Sequence, residues 1–342
     1  MSDLVVLGCG VVSPAGWGMP AFREALAKDE PLPTRELARP GWPKGLRIRS
    51  VPPPPARPAF FSHARLRRAS PIAQYSVAAA LEALGPAQDL VVQKSLRLGI
   101  ILCVMSGCVN YSRRFYDETL KNPATASPLV FPETVFNAPA SHLAALLGAT
   151  TINYTLVGDP SVFLQGLSLA GEWLLEERVD GCLVIGSEEL DWMTAEAFSI
   201  FQRSVIVSDG AAALYLGTHG PGILARILSV TEPYLFSKRQ TRSEAARRAR
   251  TELGPSLPDE LLCDGLVGDL PIDAAERATW ADWTNGRMSP KSVLGEGLAA
   301  SSAWQCVAAV DAIHQARFKS AIVSIVGCNQ QAIAARFVAP TL

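Results

Sequence analysis

Short apolar runs alternate with longer segments of helical periodicity along most of this chain, a pattern typical of an α/β protein. The apolar runs predict strands at Leu4–Leu7, Leu98–Val104, Thr151–Val157, Gly181–Ile185, Ala211–Leu216, Ile223–Val230 and Ala321–Val326. The periodic segments predict helices at Pro71–Leu84, Ala138–Leu147, Phe163–Leu175 and Leu298–Ala316. The pattern restarts near residue 217. We therefore expect two α/β halves, residues 1–216 and 217–342, within one rigid body.

Two segments near the amino terminus further limit the structures and ligands that this chain can have. Nine prolines lie between Glu30 and Pro58, which predicts an extended surface excursion without helix. The GCG sequence after the first strand is not a dinucleotide-binding turn, because Ser13 stands where the third glycine is required and Pro14 follows it. The chain also has no P-loop, GxSxG or HExxH motif.

Charge and cysteine content exclude several classes of function. The 31 basic and 32 acidic residues give a net charge of -1, so the basic surplus of a nucleic-acid-binding protein is missing. The seven cysteines form no CxxC pair and the four histidines are dispersed, which predicts reduced thiols and no metal site. No apolar run reaches the roughly 18 residues of a membrane span. We expect a cytoplasmic protein that binds neither nucleic acid nor membranes.

Eight segments, in order and over nearly the whole chain, resemble the β-ketoacyl synthases of the thiolase superfamily. They are VVLGCGVVSPAG, RLRRASPIAQYSVAAALEAL, LGIILCVMSGC, VFNAPASHLAALLG, TLVGDPSVFLQGLSLAGEWL, GCLVIGSEELD, SPKSVLGEGLAAS and IVSIVGCNQQA. The resemblance implies a thiolase-like fold, in which two related α/β halves form a five-layer αβαβα core.

The resemblance places Pro160 where the family has its nucleophilic cysteine, at the amino terminus of a helix. Proline has no nucleophile, and it lacks the backbone N–H that in this family supplies one donor of the oxyanion hole. The alternative is a slip in register that makes Ser161 the nucleophile. Without a histidine base, a serine would be feeble in that role.

The two histidines of the family are also replaced. CDGLVGDLPIDAAE resembles the first histidine loop and has Asp264 at the histidine position, and SPKSVLGEG resembles the second, with Lys291 retained and Glu296 at the histidine position. Asn329 keeps the family's asparagine in the closing loop. A slip in register restores neither histidine, because none occurs between His219 and His314. An ionised carboxylate would repel the developing enolate, so we expect no decarboxylation and no catalytic residues.

A degenerate ketosynthase of this kind resembles the chain-length factors, the β subunits of type II polyketide and polyene synthases. The resemblance implies a heterodimer with an active ketosynthase, in which residues of the chain-length factor close the tunnel for the growing chain. On a helix over Val109–Leu120, Cys108, Tyr111 and Phe115 share one face, and their bulk would set the tunnel depth. The alternative is an ordinary core stripe.

The resemblance also implies an acyl carrier protein as a partner. Its phosphopantetheine would be the only cofactor involved, and the chain would hold none of its own. Arg65, Arg67 and Arg68 are candidate docking residues for this acidic partner. For a second group, a solvated helix face is the preferred interpretation; its members are Arg242, Arg247, Arg248 and Arg250.

Two other functions stay open at this point. One is an acyltransferase that uses Ser161 on a preformed acyl thioester, and the other is a homodimeric protein that binds acyl chains.

Overall fold

The structure, a computed structural model, describes residues 4–149, 151–202, 204–237 and 240–340. These residues form fifteen strands and eleven α-helices. The strands are β1 (Leu4–Ser13), β2 (Gly16–Trp17), β3 (Arg35–Leu37), β4 (Leu46–Arg49), β5 (Leu98–Val104), β6 (Asn153–Val157), β7 (Gly181–Glu188), β8 (Val207–Ser208), β9 (Gly210–Gly217), β10 (Ala225–Val230), β11 (Tyr234–Leu235), β12 (Glu260–Cys263), β13 (Arg287–Met288), β14 (Ser320–Val326) and β15 (Gln331–Val338). The helices are α1 (Met19–Lys28), α2 (Pro71–Leu84), α3 (Ala87–Val92), α4 (Val109–Lys121), α5 (Ala138–Leu147), α6 (Val162–Leu175), α7 (Trp192–Phe201), α8 (Arg242–Leu253), α9 (Leu270–Thr279), α10 (Pro290–Leu294) and α11 (Ala299–His314).

Two sets of five strands have the same order and the same directions. The first set runs β1-β9-β7-β5-β6 and the second runs β10-β15-β14-β12-β13. In each set the first two pairings are antiparallel and the last two are parallel. Antiparallel pairing of β1 with β10 joins the sets into one sheet. The structure therefore contains two related α/β halves; the boundary at residues 216 and 217 stays a prediction.

The helices cover both faces of each set of strands. α6 and α11 lie between the sets, because α6 contacts β5, β7, β10 and β15 and α11 contacts β7, β9, β12 and β14. α2 and α5 cover the outer face of the first set, and α8, with α9 packed against it, covers that of the second. This is the five-layer αβαβα arrangement that the resemblance implies, and the predicted fold class is confirmed.

Burial on both faces explains the composition of the central elements. All seven residues of β5 are buried, so this strand is a continuous apolar run without polar alternation. α11 is buried over nearly its whole circumference and consists largely of alanine and serine, which let it pack closely between two layers. None of the described helices is long and apolar enough to cross a membrane.

The excursion between Glu30 and Pro58 contains no helix, as predicted, and part of it forms regular strands. It contains β3 and β4, and β4 pairs with β8 to form a small three-stranded sheet that packs on α7. The GCG sequence lies inside β1 and not at a turn. Its glycines allow α2 to pack close to β1, since a Cβ on Gly8 or Gly10 would collide with the carbonyl oxygen of Ala83 or Ala79.

Candidate functional site

The turn between β6 and α6 carries the position that the resemblance assigns to the nucleophile. β6 ends at Val157 and α6 begins at Val162, so Pro160 lies at the amino terminus of a largely buried helix. Both Pro160 and Ser161 are buried. A helix amino terminus lowers the pKa of a cysteine placed there, but proline offers neither a thiol nor a backbone N–H. Pro160 therefore cannot supply the nucleophile that the resemblance places at this turn.

The buried carboxylate of Asp159 is bound by the backbone of the closing loop, which follows β14. Its oxygens accept hydrogen bonds from the backbone N–H groups of Cys328 at 3.1 Å, Asn329 at 3.2 Å, Gln330 at 3.4 Å and Gln331 at 3.2 Å. Gly327 is required beside them, because a Cβ there would collide with the same carboxylate. Successive backbone N–H groups of this kind form an anion-binding concavity. In this chain the bound anion is its own aspartate, which sequence reasoning did not identify as a site residue.

The side chain of Ser161 is hydrogen-bonded to a glutamine and not to a base. Its hydroxyl accepts a hydrogen bond of 2.8 Å from Gln331 Nε2, and the side chain is fully buried. Gln331 in turn accepts a hydrogen bond of 3.3 Å from Gln165. No histidine contacts Ser161 in the part of the chain that the structure describes. A serine so placed has no group to take its proton.

Asp264 follows β12 directly and is fully buried. Its Oδ1 accepts hydrogen bonds from Ser289 Oγ at 2.6 Å and from the backbone N–H of Leu266 at 3.3 Å, while Arg287 Nε lies 3.0 Å from its Oδ2. Burial raises the pKa of Asp264, and the hydrogen bond of Ser289 and the charge of Arg287 oppose the rise. These contacts fix the loop that would carry the first histidine.

Glu296, at the position that the resemblance assigns to the second histidine, is paired with Lys291. Lys291 Nζ donates to Glu296 Oε2 at 2.9 Å, and the other carboxylate oxygen accepts from the backbone N–H of Leu298 and from Ser301 Oγ, both at 2.8 Å. Burial alone would lower the pKa of Lys291. The charge and hydrogen bond of Glu296 outweigh it, and the pKa is raised. The opposite charges of Lys291 and Glu296 therefore compensate each other inside the protein.

A third carboxyl group, that of Glu276 on α9, completes this buried cluster. It accepts a hydrogen bond of 3.2 Å from the backbone N–H of Gly265. Burial raises the pKa of Glu276 to about 8, and the neighbouring charge of Asp264 adds to the rise. The sequence indicated this glutamate only as a part of the loop resemblance, and its shifted pKa depends on burial that the sequence does not show.

Cys328 lies where the β6–α6 turn and the second loop meet. Its Sγ lies 3.2 Å from Asp159 Oδ1 and 3.8 Å from Met105 Sδ. Burial, together with the charges of Asp159 and Glu296, raises the pKa of this thiol. Thiolates are the nucleophilic form of cysteine, so a raised pKa disfavours Cys328 as a nucleophile.

Two of the three predicted tunnel residues, Cys108 and Phe115, contact the segment that follows α4, whereas Tyr111 contacts the turn before α2. Cys108 Sγ donates to the carbonyl of Val135 at 3.4 Å, and the rings of Phe115 and Phe131 lie 5.4 Å apart. The Tyr111 hydroxyl donates to the carbonyl of Arg68 at 2.6 Å. Their role in a tunnel stays a prediction.

A cavity of about 780 Å³ lies on another face of α4, between this helix and α7. Its apolar wall includes Val109, Tyr116, Met193 and Phe198. It also includes Met105 and Leu298, each of which adjoins the site: Met105 contacts Cys328, and Leu298 donates to Glu296. The cavity therefore begins beside Cys328 and Glu296, at the edge of the candidate site.

The two groups of arginines differ in their surroundings. Arg65, Arg67 and Arg68 are exposed at a short 3-10 turn, so they are free to meet a partner. In the second group, Arg242 donates to the carbonyl of Cys328 at 3.3 Å and Arg250 pairs with Asp282 at 2.5 Å. The interpretation of this group as a solvated helix face is thus wrong for Arg242 and Arg250, whose side chains hold neighbouring loops. The guanidinium of Arg248 lies over the ring of Tyr234, and Arg247 is exposed.

No family model matches this chain, and no curated protein sequence matches it. Solved structures do. The ishigamide ketosynthase/chain length factor superposes with a TM-score of 0.78 at 18% identity, covering 98% of this chain and 99% of the other. A type II PKS ketosynthase bound to a hexaketide, in complex with its acyl carrier protein, gives 0.77 at 19% identity, with 98% and 99% covered. A β-ketoacyl synthase from Burkholderia phymatum gives 0.79 at 17% identity, with 99% and 100% covered.

These likenesses extend over whole chains, and they agree with the repeated strand order and the two buried central helices. This chain therefore has the thiolase-like fold of the β-ketoacyl synthases and of the ketosynthase/chain-length factors.

Proposed function

We propose that this chain is a chain-length factor: a subunit without catalysis of its own that pairs with an active β-ketoacyl synthase and bounds the chain which that enzyme makes. The observation that carries the proposal is the β6–α6 turn. There, Pro160 stands at the position that the resemblance assigns to the nucleophile, and the Asp159 carboxylate accepts hydrogen bonds from the backbone N–H groups of Cys328–Gln331.

Carbon–carbon bond formation by decarboxylation needs donors aimed at the developing negative charge. Pro160 supplies none, and the backbone donors of the closing loop already bind Asp159. At the two histidine positions, Asp264 and Glu296 accept hydrogen bonds from Ser289 and Lys291. A malonyl thioester in this site would meet carboxylates where its enolate requires donors.

An apolar face supports the proposed partnership with a ketosynthase. β6 is the last strand of its sheet, and Tyr154 and Val157 on it are about half exposed. Further large apolar side chains are exposed on α4 and on the segment after it; they are Tyr116, Leu120, Leu129, Phe131, Val135 and Phe136. An unpaired strand edge with apolar side chains favours association with another chain.

The cavity between α4 and α7 supports the role in chain length. Its volume of about 780 Å³ is within the range of about 300–1,000 Å³ that small-molecule sites occupy. A polyketide entering from the partner would extend along its apolar wall. A carrier protein with an acidic surface would approach over Arg65, Arg67 and Arg68, and it would bring the phosphopantetheine.

Co-purification with a ketosynthase that has an intact Cys-His-His set tests the proposal. We expect a 1:1 complex that makes a chain of defined length, and no carbon dioxide when the isolated chain is given malonyl carrier protein. The controls are the ketosynthase alone and the complex with its nucleophilic cysteine replaced.

The outcomes separate the alternatives. Turnover by the isolated chain would overturn the proposal. Mass-spectrometric detection of an acyl group on Ser161 would favour the acyltransferase, and a stable homodimer that ignores the ketosynthase would favour the binding protein.

A further inference from the structure

Arg49, the last residue of β4, is a buried cation without an acidic partner. The residue is 9% exposed, and its Nε donates to the carbonyl of Leu32 at 2.7 Å. No aspartate or glutamate pairs with it within the described ranges. Burial alone accounts for the direction of its pKa, which is lowered. Buried charges in proteins are normally paired, so this guanidinium lacks a counterion.

A cavity of about 240 Å³ lies beside Arg49 and ends at the degenerate site. Its wall is formed by loops after α7 and β12 and by α10, and the lining includes Ser204, Gly268 and Ser292. Lys291 and Glu296 form the opposite side. A volume of this size holds roughly eight waters at ~30 Å³ each, which is enough room for a small anion and its hydration.

The charged residues that line this cavity are Arg49, Lys291 and Glu296, so one positive charge is in excess among them. Lys291 and Glu296 neutralise one another at 2.9 Å, and the remaining oxygen of Glu296 accepts from Leu298 and Ser301. Glu296 is therefore fully engaged, and the charge of Arg49 is left over. A planar guanidinium matches carboxylate and phosphate oxygens in pairs, which makes an oxyanion the ligand class that this wall fits best.

We propose that this cavity is a binding site for a small oxyanion, a carboxylate or a phosphate, with Arg49 as its counterion. The site is separate from the anion-binding concavity that Asp159 fills, and it needs neither a partner subunit nor turnover. It would give the chain a ligand of its own, bound next to the two loops whose histidines are lost.

Calorimetric titration of the full chain with sodium malonate and with sodium phosphate tests this site, at an ionic strength held constant with chloride. We expect saturable binding of at least one of the two anions and a rise in Tm on its addition. Tighter binding of malonate would identify a carboxylate ligand, and tighter binding of phosphate would identify a phosphate.

Arg49→Gln should weaken the binding at least tenfold. Arg47→Gln, which removes an exposed arginine from the same strand, is the matched control and should leave it unchanged. If Arg49→Gln does not fold, Arg49→Lys takes its place; it keeps the charge but not the paired donors, so binding should weaken less. Absence of saturable binding beyond the chloride control, or equal affinity of the wild type and the Arg49 variant, would overturn the proposal. Because the assay uses the chain alone, its result is independent of ketosynthase pairing.

Discussion

Lys291 Nζ lies 2.9 Å from Glu296 Oε2, and both side chains are buried. Removing one member leaves the other as an uncompensated charge, so Lys291→Met should destabilise the protein by about 3–5 kcal/mol. The double variant Lys291→Met/Glu296→Gln should lose less than the sum of the two single changes. Urea unfolding of the four proteins measures this coupling. Additive losses would show that the pair is not a unit.

The carboxylate of Asp159 should matter for stability and not for turnover. Asp159→Ala leaves the buried backbone N–H groups of the closing loop without an acceptor, which should cost about 1–3 kcal/mol. Asp159→Asn keeps one carbonyl oxygen and should cost less. The midpoints of urea unfolding of the wild type and the two variants measure these losses of stability. An unchanged midpoint in Asp159→Ala would contradict the role of the carboxylate in holding the loop.

Stability should fall as the pH rises across the neutral range. Burial raises the pKa of Glu276 from 4.5 to about 8, and burial also raises those of Glu188 to about 8 and Glu189 to about 7. The folded chain thus holds these protons more tightly than the unfolded chain. Their contribution is fully present below pH 4.5 and is lost as the pH rises through 8.

For Glu276 the loss should be on the order of 2–4 kcal/mol between pH 5 and 9. Urea unfolding across this range measures the slope. Glu276→Gln should reduce the slope, because only the contributions of Glu188 and Glu189 remain, whereas the exposed Glu172→Gln should leave it unchanged. Equal slopes in the wild type and in Glu276→Gln would argue against a protonated Glu276.

Side chains on two faces of α4 should differ in their effect on the length of the polyketide that the proposed complex makes. The side chain of Tyr116 lines the cavity between α4 and α7, whereas Phe115 packs on Phe131. We expect Tyr116→Ala to lengthen the polyketide by deepening the cavity, and Phe115→Ala to change chain length less. Mass spectrometry of the products of the two variant complexes measures these changes in chain length. A longer product only from Phe115→Ala would place the tunnel on the face that the sequence predicted.

Much of the fold was predictable because burial on both faces produces continuous apolar runs. β5, α2 and α5 were predicted with the ends that the structure shows. β15 was missed, since its sequence contains Arg336, a charge that is uncommon inside a sheet. In the structure Arg336 pairs with Glu260 of β12 at 2.8 Å, and the pair is buried. Only the neighbouring strand reveals why that arginine is tolerated.

The resemblance could assign triad positions from the sequence because each lies in a short segment that resembles a catalytic loop, and the assignment of Pro160, Asp264 and Glu296 to them stays a prediction. The contact between Asp159 and the closing loop was not accessible from the sequence, since its partners lie about 170 residues further along the chain. Its one local sign is an acidic residue directly before the proline of a strand-to-helix turn. The sequence also did not indicate that Arg49 is a buried cation without an acidic partner. That property depends on which side chains the neighbouring elements, distant in sequence, place beside it.

The filled concavity at Cys328–Gln331 also bears on how such a protein evolves. A cysteine placed at position 160 would still lack the backbone donors of the closing loop, because Asp159 beside it binds them. Asp264 and Glu296 would also still stand at the positions that the resemblance assigns to the two histidines. At least four codons would have to change before selection could reward any of them. For a chain-length factor as proposed above, a return to catalysis therefore requires several simultaneous changes, whereas single changes elsewhere can still adapt the chain to its proposed partner.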